Sequence, residues 1–478
     1  MPKRLFRRLN DSRVQVLIVM KSNPCRQLNP LISLIIIGSA TLFVLPGLIE
    51  PVQAADQPDP GQTAPPALKM HQIADLLETD LVERFLLEGQ VPPKRRAPTS
   101  EIPFVSYNMP DNAYMTGMYL ANQTYRWRAV QSPEAKRVAF EACNALHTFV
   151  AVTGKPGLFA RAFIPAEMPY LDDGVWRKSE DGKYLWRGDV SSDQVTGYMY
   201  GCSVYAEGPA SSAEVQRMAA DCVAICDHIV DHGMHIEDVD SKPTMWGHYE
   251  PEYVKKSERM NALLWLQHLK VAAQLSGDPK QELRYRRYAL EEGYAEAAVQ
   301  ARSVAEPTRS RRVNHSDDVL IFLAYEPLLR LEKDEALRAL YLKSLERTWN
   351  AVEPERNPFF TYIYTVATGK QDEQALKEVK ENLGLFTFDI HWNRETREAY
   401  GKRFNLDLEP KVRSQEPKPG ERIPYDRRAK TWSLLVHNPY TDIAKEIPRP
   451  DEGMEYTGLH WTIGYWMGRA EGFIGAED

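Results

Sequence analysis

Asp189 and Asp193 stand four residues apart in the stretch WRGDVSSDQVTGYMYG (186–201), and Trp186 lies three residues ahead of the first. Two carboxyl groups beside an indole are suited to acid–base work on a sugar. Glycosidic cleavage needs one carboxylic acid and one carboxylate, and an apolar ring keeps its neighbour protonated by desolvation. Ser191 and Gln194 have capping-box spacing, which accounts for the serine but leaves Asp189, three residues before the helix, without a capping duty. Asp193 falls in the first helical turn, where the macrodipole favours acids with or without a ligand.

Other helix starts carry similar groups. Asn108, Asp111 and Asn112 precede one helix; Asn314, His315, Asp317 and Asp318 open another; Glu455, Tyr456 and His460 open the last. Asp318 is the second-choice carboxylate, with His315 as proton carrier or hydrogen-bond donor. Arg161 could grip a substrate carboxylate bidentately, or close an ion pair at the rim. Trp186, Trp246, His248, Tyr249, Trp392, His437 and His460 supply rings and donors for a sugar. The expected catalytic set is therefore Asp189, Asp193 and Asp318. The expected substrate-binding set is Arg161, Trp186, Trp246, His248, Tyr249, His315 and His460.

These residues need a scaffold that gathers helix starts, and the hydrophobic pattern supplies one. Helical periodicity dominates after residue 68, and no convincing period-two run marks a strand. A helix is expected over 68–89. Pairs follow at 112–130 with 133–153, 192–207 with 211–232, 257–276 with 280–302, 314–331 with 334–352, and 358–368 with 371–383, and a last helix covers 456–473. Glycines 154, 233, 277 and 369 end helices, and prolines 133, 279 and 358 open them. Pairing the first helix with the last gives twelve helices in six hairpins joined by alternating short and long loops. Such hairpins must stack to bury their faces. Six close into a ring, an all-α (α/α)6 toroid with its long loops and inner-helix starts at one end.

The phrases VTGKPGLFAR (152–161), WRGDVSSDQVTGYMYG (186–201) and EYTGLHWTIGYWMGR (455–469) resemble the six-hairpin glycosidase superfamily over about residues 68–475. The resemblance implies the toroid and a carbohydrate cleft. It carries no catalytic assignment across.

Residues 1–54 combine a basic stretch, an apolar run from Leu31 to Leu48 and Val52-Gln53-Ala54, the three parts of a cleavable export signal. An uncleaved anchor is the alternative. Residues 55–67 form a flexible leader and residues 68–478 the toroid domain. Residues 1–54 hold 7 of the 59 basic and 2 of the 66 acidic side chains, so the remainder carries 52 against 64, a net −12. That balance excludes nucleic acid and anionic membrane as partners after signal cleavage.

Metal and cofactor sites are not expected. His228 and His232 have i, i+4 spacing without an HExxH glutamate, and LDDGVW lacks the spaced ligands of a calcium loop. Cys143, Cys202, Cys222 and Cys226 are read as buried thiols or one incidental bridge. The sequence thus points to an exported glycoside hydrolase acting on an oligo- or polysaccharide. A polysaccharide lyase on the same toroid and a non-catalytic glycan-binding or scaffold protein are the alternatives.

Overall fold

The structure is a computed structural model that describes residues 68–257, 259–302, 316–353, 356–384, 386, 388, 391–408 and 453–478. The export signal, the leader, Asn314, His315 and His437 lie outside the described residues. The helices are α1 (Met70–Asp80), α2 (Asn112–Val130), α3 (Pro133–Ala151), α4 (Ser192–Ala206), α5 (Ser212–Asp231), α6 (Pro251–Lys256), α7 (Arg259–Ser276), α8 (Pro279–Arg286) and α9 (Tyr294–Val299). They continue with α10 (Ser316–Leu331), α11 (Glu335–Val352), α12 (Pro358–Thr368), α13 (Glu373–Gly384), α14 (Arg394–Phe404) and α15 (Leu459–Ala470).

Their contacts close a ring. Helix α2 packs on α4, α4 on α7, α7 on α10, α10 on α12, α12 on α15, and α15 on α2. Around it, α3 covers α2, α5 covers α7, α8 and α9 back α7, α11 spans α10 and α12, α13 covers α12, and α1 covers α15. This is the expected (α/α)6 toroid. The inner helices are buried on every face: every residue of α2 from Asn112 to Tyr125 and of α15 from Leu459 to Gly468 is buried. The outer helices are amphipathic, as a shell one layer thick must be.

The ring closes on a buried carboxylate. Glu78 of α1 accepts from Asn122 Nδ2 (2.9 Å) and Gln123 Nε2 (2.6 Å) of α2 and from Trp466 Nε1 (2.8 Å) of α15. The polar residues of α2 that break its apolar pattern are therefore joints. Between α2 and α4 the backbones meet at Gly117, Gly197 and Gly201; a Cβ on Gly197 would lie 2.7 Å from Tyr114 Cα. Real Cβ atoms do not approach so closely, so only glycine permits this spacing.

Three expectations are corrected. The long loops contain strands, in three small antiparallel sheets of order β2-β1-β8, β3-β5-β4 and β6-β7. The strands are β1 (Lys94–Arg96), β2 (Ser106–Asn108), β3 (Ala162–Pro165), β4 (Trp176–Lys178), β5 (Tyr184–Arg187), β6 (His235–Glu237), β7 (Pro243–His248) and β8 (Met454–Tyr456). At three to six residues each, they are too short for alternation to register. The segment 280–302 is not one helix: a π turn over Arg287–Glu291 and Gly293, at φ 72°, split it. The long loop 384–455 contains α14, fixed where Trp392 Nε1 and the Tyr400 hydroxyl donate to the buried Asp80.

Candidate functional site

Strand register assembles the site. Ala162 of β3 pairs with Arg187 of β5, and the Arg161 amide donates to Arg187 O at 2.8 Å. Arg161 is thereby set beside Gly188 and Asp189. Gln90 clamps the next residues by bonding both backbone groups of Phe163. The Arg161 carbonyl accepts from Ala113 N (3.0 Å), which joins the first turn of α2 to the same point.

The guanidinium is held by main chain. Its Nε donates to the Asp189 carbonyl, and Nη1 donates to Pro110 O at 3.3 Å. Asp189 adopts φ 57°, in the left-handed region that a β-carbon disfavours, and so turns its carbonyl toward Arg161. Its amide donates to Asp238 Oδ2 (2.9 Å), which also receives Arg177 (3.2 Å). Its carboxylate accepts from Met245 N at 2.9 Å, tethering the β6–β7 hairpin.

Two partly buried acids face this guanidinium. Asp111 precedes α2 but makes no side-chain cap there. Its Oδ1 instead accepts from Gln194 Nε2 (3.2 Å), which also reaches Pro110 O (3.3 Å). Gln194 is the N3 residue of the expected capping box, its Oε1 accepting from the Ser191 amide at 2.8 Å. The box that starts α4 therefore also ties Asp111 to the first turn of that helix. Burial first, then the Asp193 charge, pushes the Asp111 carboxyl up to about 6, and Arg161, Arg187 and Lys94 oppose the shift. Asp193 is also raised, by burial, with Arg161 the largest counterweight. Two like charges in one site cannot ionise independently, so the pair titrates together. Burial raises both carboxyls, and Arg161 opposes the shift of each.

Tyr114 of α2 packs beside both acids, and burial and their charges raise its phenol well above its usual value. It stays protonated and is unsuited as a base. Tyr249 is buried, with its hydroxyl 3.1 Å from His268 Nε2. Gln267 Nε2 donates to Thr196 O (3.1 Å), so its Oε1 must accept from His268 Nδ1 (2.7 Å). Nε2 of His268 is then the acceptor and Tyr249 the donor. Burial pushes His268 down to about 3, consistent with a neutral ring.

Of the expected catalytic set, Asp189 accepts from Arg161 through its carbonyl, and Asp193 lies within electrostatic reach of the same guanidinium. Asp318 is fully buried in α10, and its charge raises the Tyr325 phenol. Trp186 is 2% exposed, with Arg177 over its ring. Tyr249 is buried too, with its hydroxyl on His268. His460 is likewise buried within α15. His248 lines the hairpin with Nδ1 3.0 Å from Glu250. Trp246, 56% exposed beside Met245, is the open aromatic face. Asp111 was visible as a helix-start acid, yet nothing in the sequence set it apart from caps. Its unused cap position is a fact of three dimensions.

The discounted clusters have structural roles. His228 Nε2 lies 3.0 Å from Glu237 O, and Asp172 Oδ1 binds Arg187 Nε at 2.8 Å. Cys143, Cys202, Cys222 and Cys226 are buried and unbridged among the described residues.

No family model matches the chain, and no curated protein does. A solved structure of a sugar epimerase from a ruminal bacterium is similar over 82% of this chain and 98% of that chain, at 11% identity and a TM-score of 0.37. The likeness is too distant to carry a reaction across.

Proposed function

We propose that this protein is an exported enzyme that hydrolyses glycosidic bonds, with Asp111 as general acid and Asp193 as its ionised partner. One observation carries the reading. Two carboxyl groups from the starts of neighbouring inner helices lie within electrostatic reach of each other and of Arg161, in unequal surroundings: Asp111 accepts from Gln194 and Asp193 from the Ser192 hydroxyl. Hydrolysis of a glycoside needs that inequality, one group giving a proton to the leaving oxygen while the other activates water or attacks carbon. Trp246 offers the exposed ring on which a sugar face stacks. The protonated state of Tyr114 disfavours a lyase using it as base. Export rests on the signal pattern of residues 1–54; no described helix is long and apolar enough to cross a membrane.

The test is a panel of oligo- and polysaccharides offered to wild type, Asp111→Asn and Asp193→Asn. Reducing ends released by wild type, with turnover down roughly 10²–10⁴-fold in both folded variants, are expected. Unsaturated products would replace this reading with a lyase, and binding without turnover would replace it with a glycan-binding protein.

A further inference from the structure

Arg161 is the unusual cation of the site. Arg187 is paired with Asp172 (2.8 Å) and Arg177 with Asp238 (3.2 Å), whereas Arg161 has no carboxylate within ion-pair distance among the described residues. Its two hydrogen bonds both go to backbone carbonyls, those of Asp189 and Pro110. Three of its five N–H donors are left over, all on the two terminal nitrogens. The group is partly buried but not sealed, and Pro110 O and Gln194 place it beside Asp111. A desolvated guanidinium normally takes a carboxylate partner from its own chain. Here the fold uses the strained backbone of Asp189 to hold the group without an ion pair, with Asp111, Asp189 and Asp193 within electrostatic reach.

Resting on the hydrolase reading of the same cleft, we propose that Arg161 receives an oxyanion of the substrate, so that the substrate class is an acidic glycan, with the carboxylate of a uronic acid as the group bound. A planar guanidinium with a donor left on each terminal nitrogen can meet a carboxylate through two parallel N–H···O bonds. Main-chain carbonyls fix its orientation without competing for charge. Below about pH 6 Asp111 is protonated and adds no charge against an arriving anion, and Arg187 and Lys94 stand within its electrostatic reach; Asp189 and Asp193 are the acids an anion must approach beside Arg161.

The experiment is a binding assay on a glycan array of neutral, uronic-acid and sulfated oligosaccharides. It uses Asp193→Asn protein, which separates binding from turnover, alone and combined with Arg161→Gln or Arg161→Lys. Uronic-acid glycans are expected to bind best, to weaken roughly tenfold or more with Arg161→Gln, and to lose less with Arg161→Lys. Sulfated glycans binding in their place would keep the oxyanion receptor and make its ligand a sulfate ester. Neutral glycans binding as well as acidic ones, no acidic glycan binding at all, or Arg161→Gln binding unchanged would each overturn the proposal. Should Arg161→Gln fail to fold, the acidic-against-neutral preference and the Arg161→Lys result decide it. Arg161-dependent binding in a protein whose wild type cleaves nothing would sink the hydrolase reading and leave the receptor standing.

Discussion

The backbone amide of Met245 donates to Oδ1 of Asp189 at 2.9 Å, while the carbonyl of the same aspartate accepts from the Arg161 guanidinium. Asp189 thus couples the hairpin that carries the exposed Trp246 to the cation of the site, with its side chain on one and its main chain on the other.

Asp189→Asn is therefore expected to stay close to wild type, because an amide oxygen still accepts from Met245 N. Asp189→Ala releases the hairpin and should raise KM more than it lowers kcat. Steady-state kinetics on both variants checks this; a loss of about 10² or more in kcat for Asp189→Asn would instead make Asp189 a proton-transfer group.

The raised Asp111 carboxyl has a signature in stability. Its folded pKa of about 6 lies above the ordinary 3.8, so the folded state holds a proton that the unfolded state has lost between those values. Stability should fall as pH climbs through that window and level off above it. Asp111→Asn removes this component. Melting temperatures from pH 4 to 8 should converge at the acid end, with the variant at or above wild type at neutral pH.

The same group sets the alkaline limb of activity. If Asp111 delivers the proton, kcat/KM declines above about pH 6. A profile flat to pH 8 on a cleaved glycan would remove Asp111 from that role.

Trp246 is 56% exposed and contributes little to the core. Trp246→Ala should leave the melting temperature nearly unchanged and weaken glycan affinity several-fold, as loss of a stacking surface does. Unchanged affinity in titration calorimetry would place the sugar elsewhere.

Glu78 behaves in the opposite way. Glu78→Ala strands Asn122, Gln123 and Trp466 as buried donors and should cost about 3 kcal/mol or more, read as a lowered denaturant midpoint.

The toroid was legible in the sequence because its signals are local. Pro133, Pro279 and Pro358 stand at helix starts, and Gly277 and Gly369 at helix ends, where the expected boundaries fell within about two residues. The site was half legible. Spacing marks Asp193 and Arg161, and equally Trp186 and Asp318, which the structure buries. Side-chain direction at a helix start depends on neighbouring helices, which spacing does not reveal. The Ser191–Gln194 capping box was read as purely structural. Gln194 Nε2, left over from that box, is what reaches Asp111.

The glycine contact between α2 and α4 has a consequence for evolution in this fold. Asp111 and Asp193 ride on the two helices that Gly117 and Gly197 bring together, about a turn and a half below the acids. The separation of the carboxyl groups is thus gauged by hydrogen atoms remote from them. Chemistry that needs a wider gap could be reached by enlarging one of those glycines, with both aspartates left untouched.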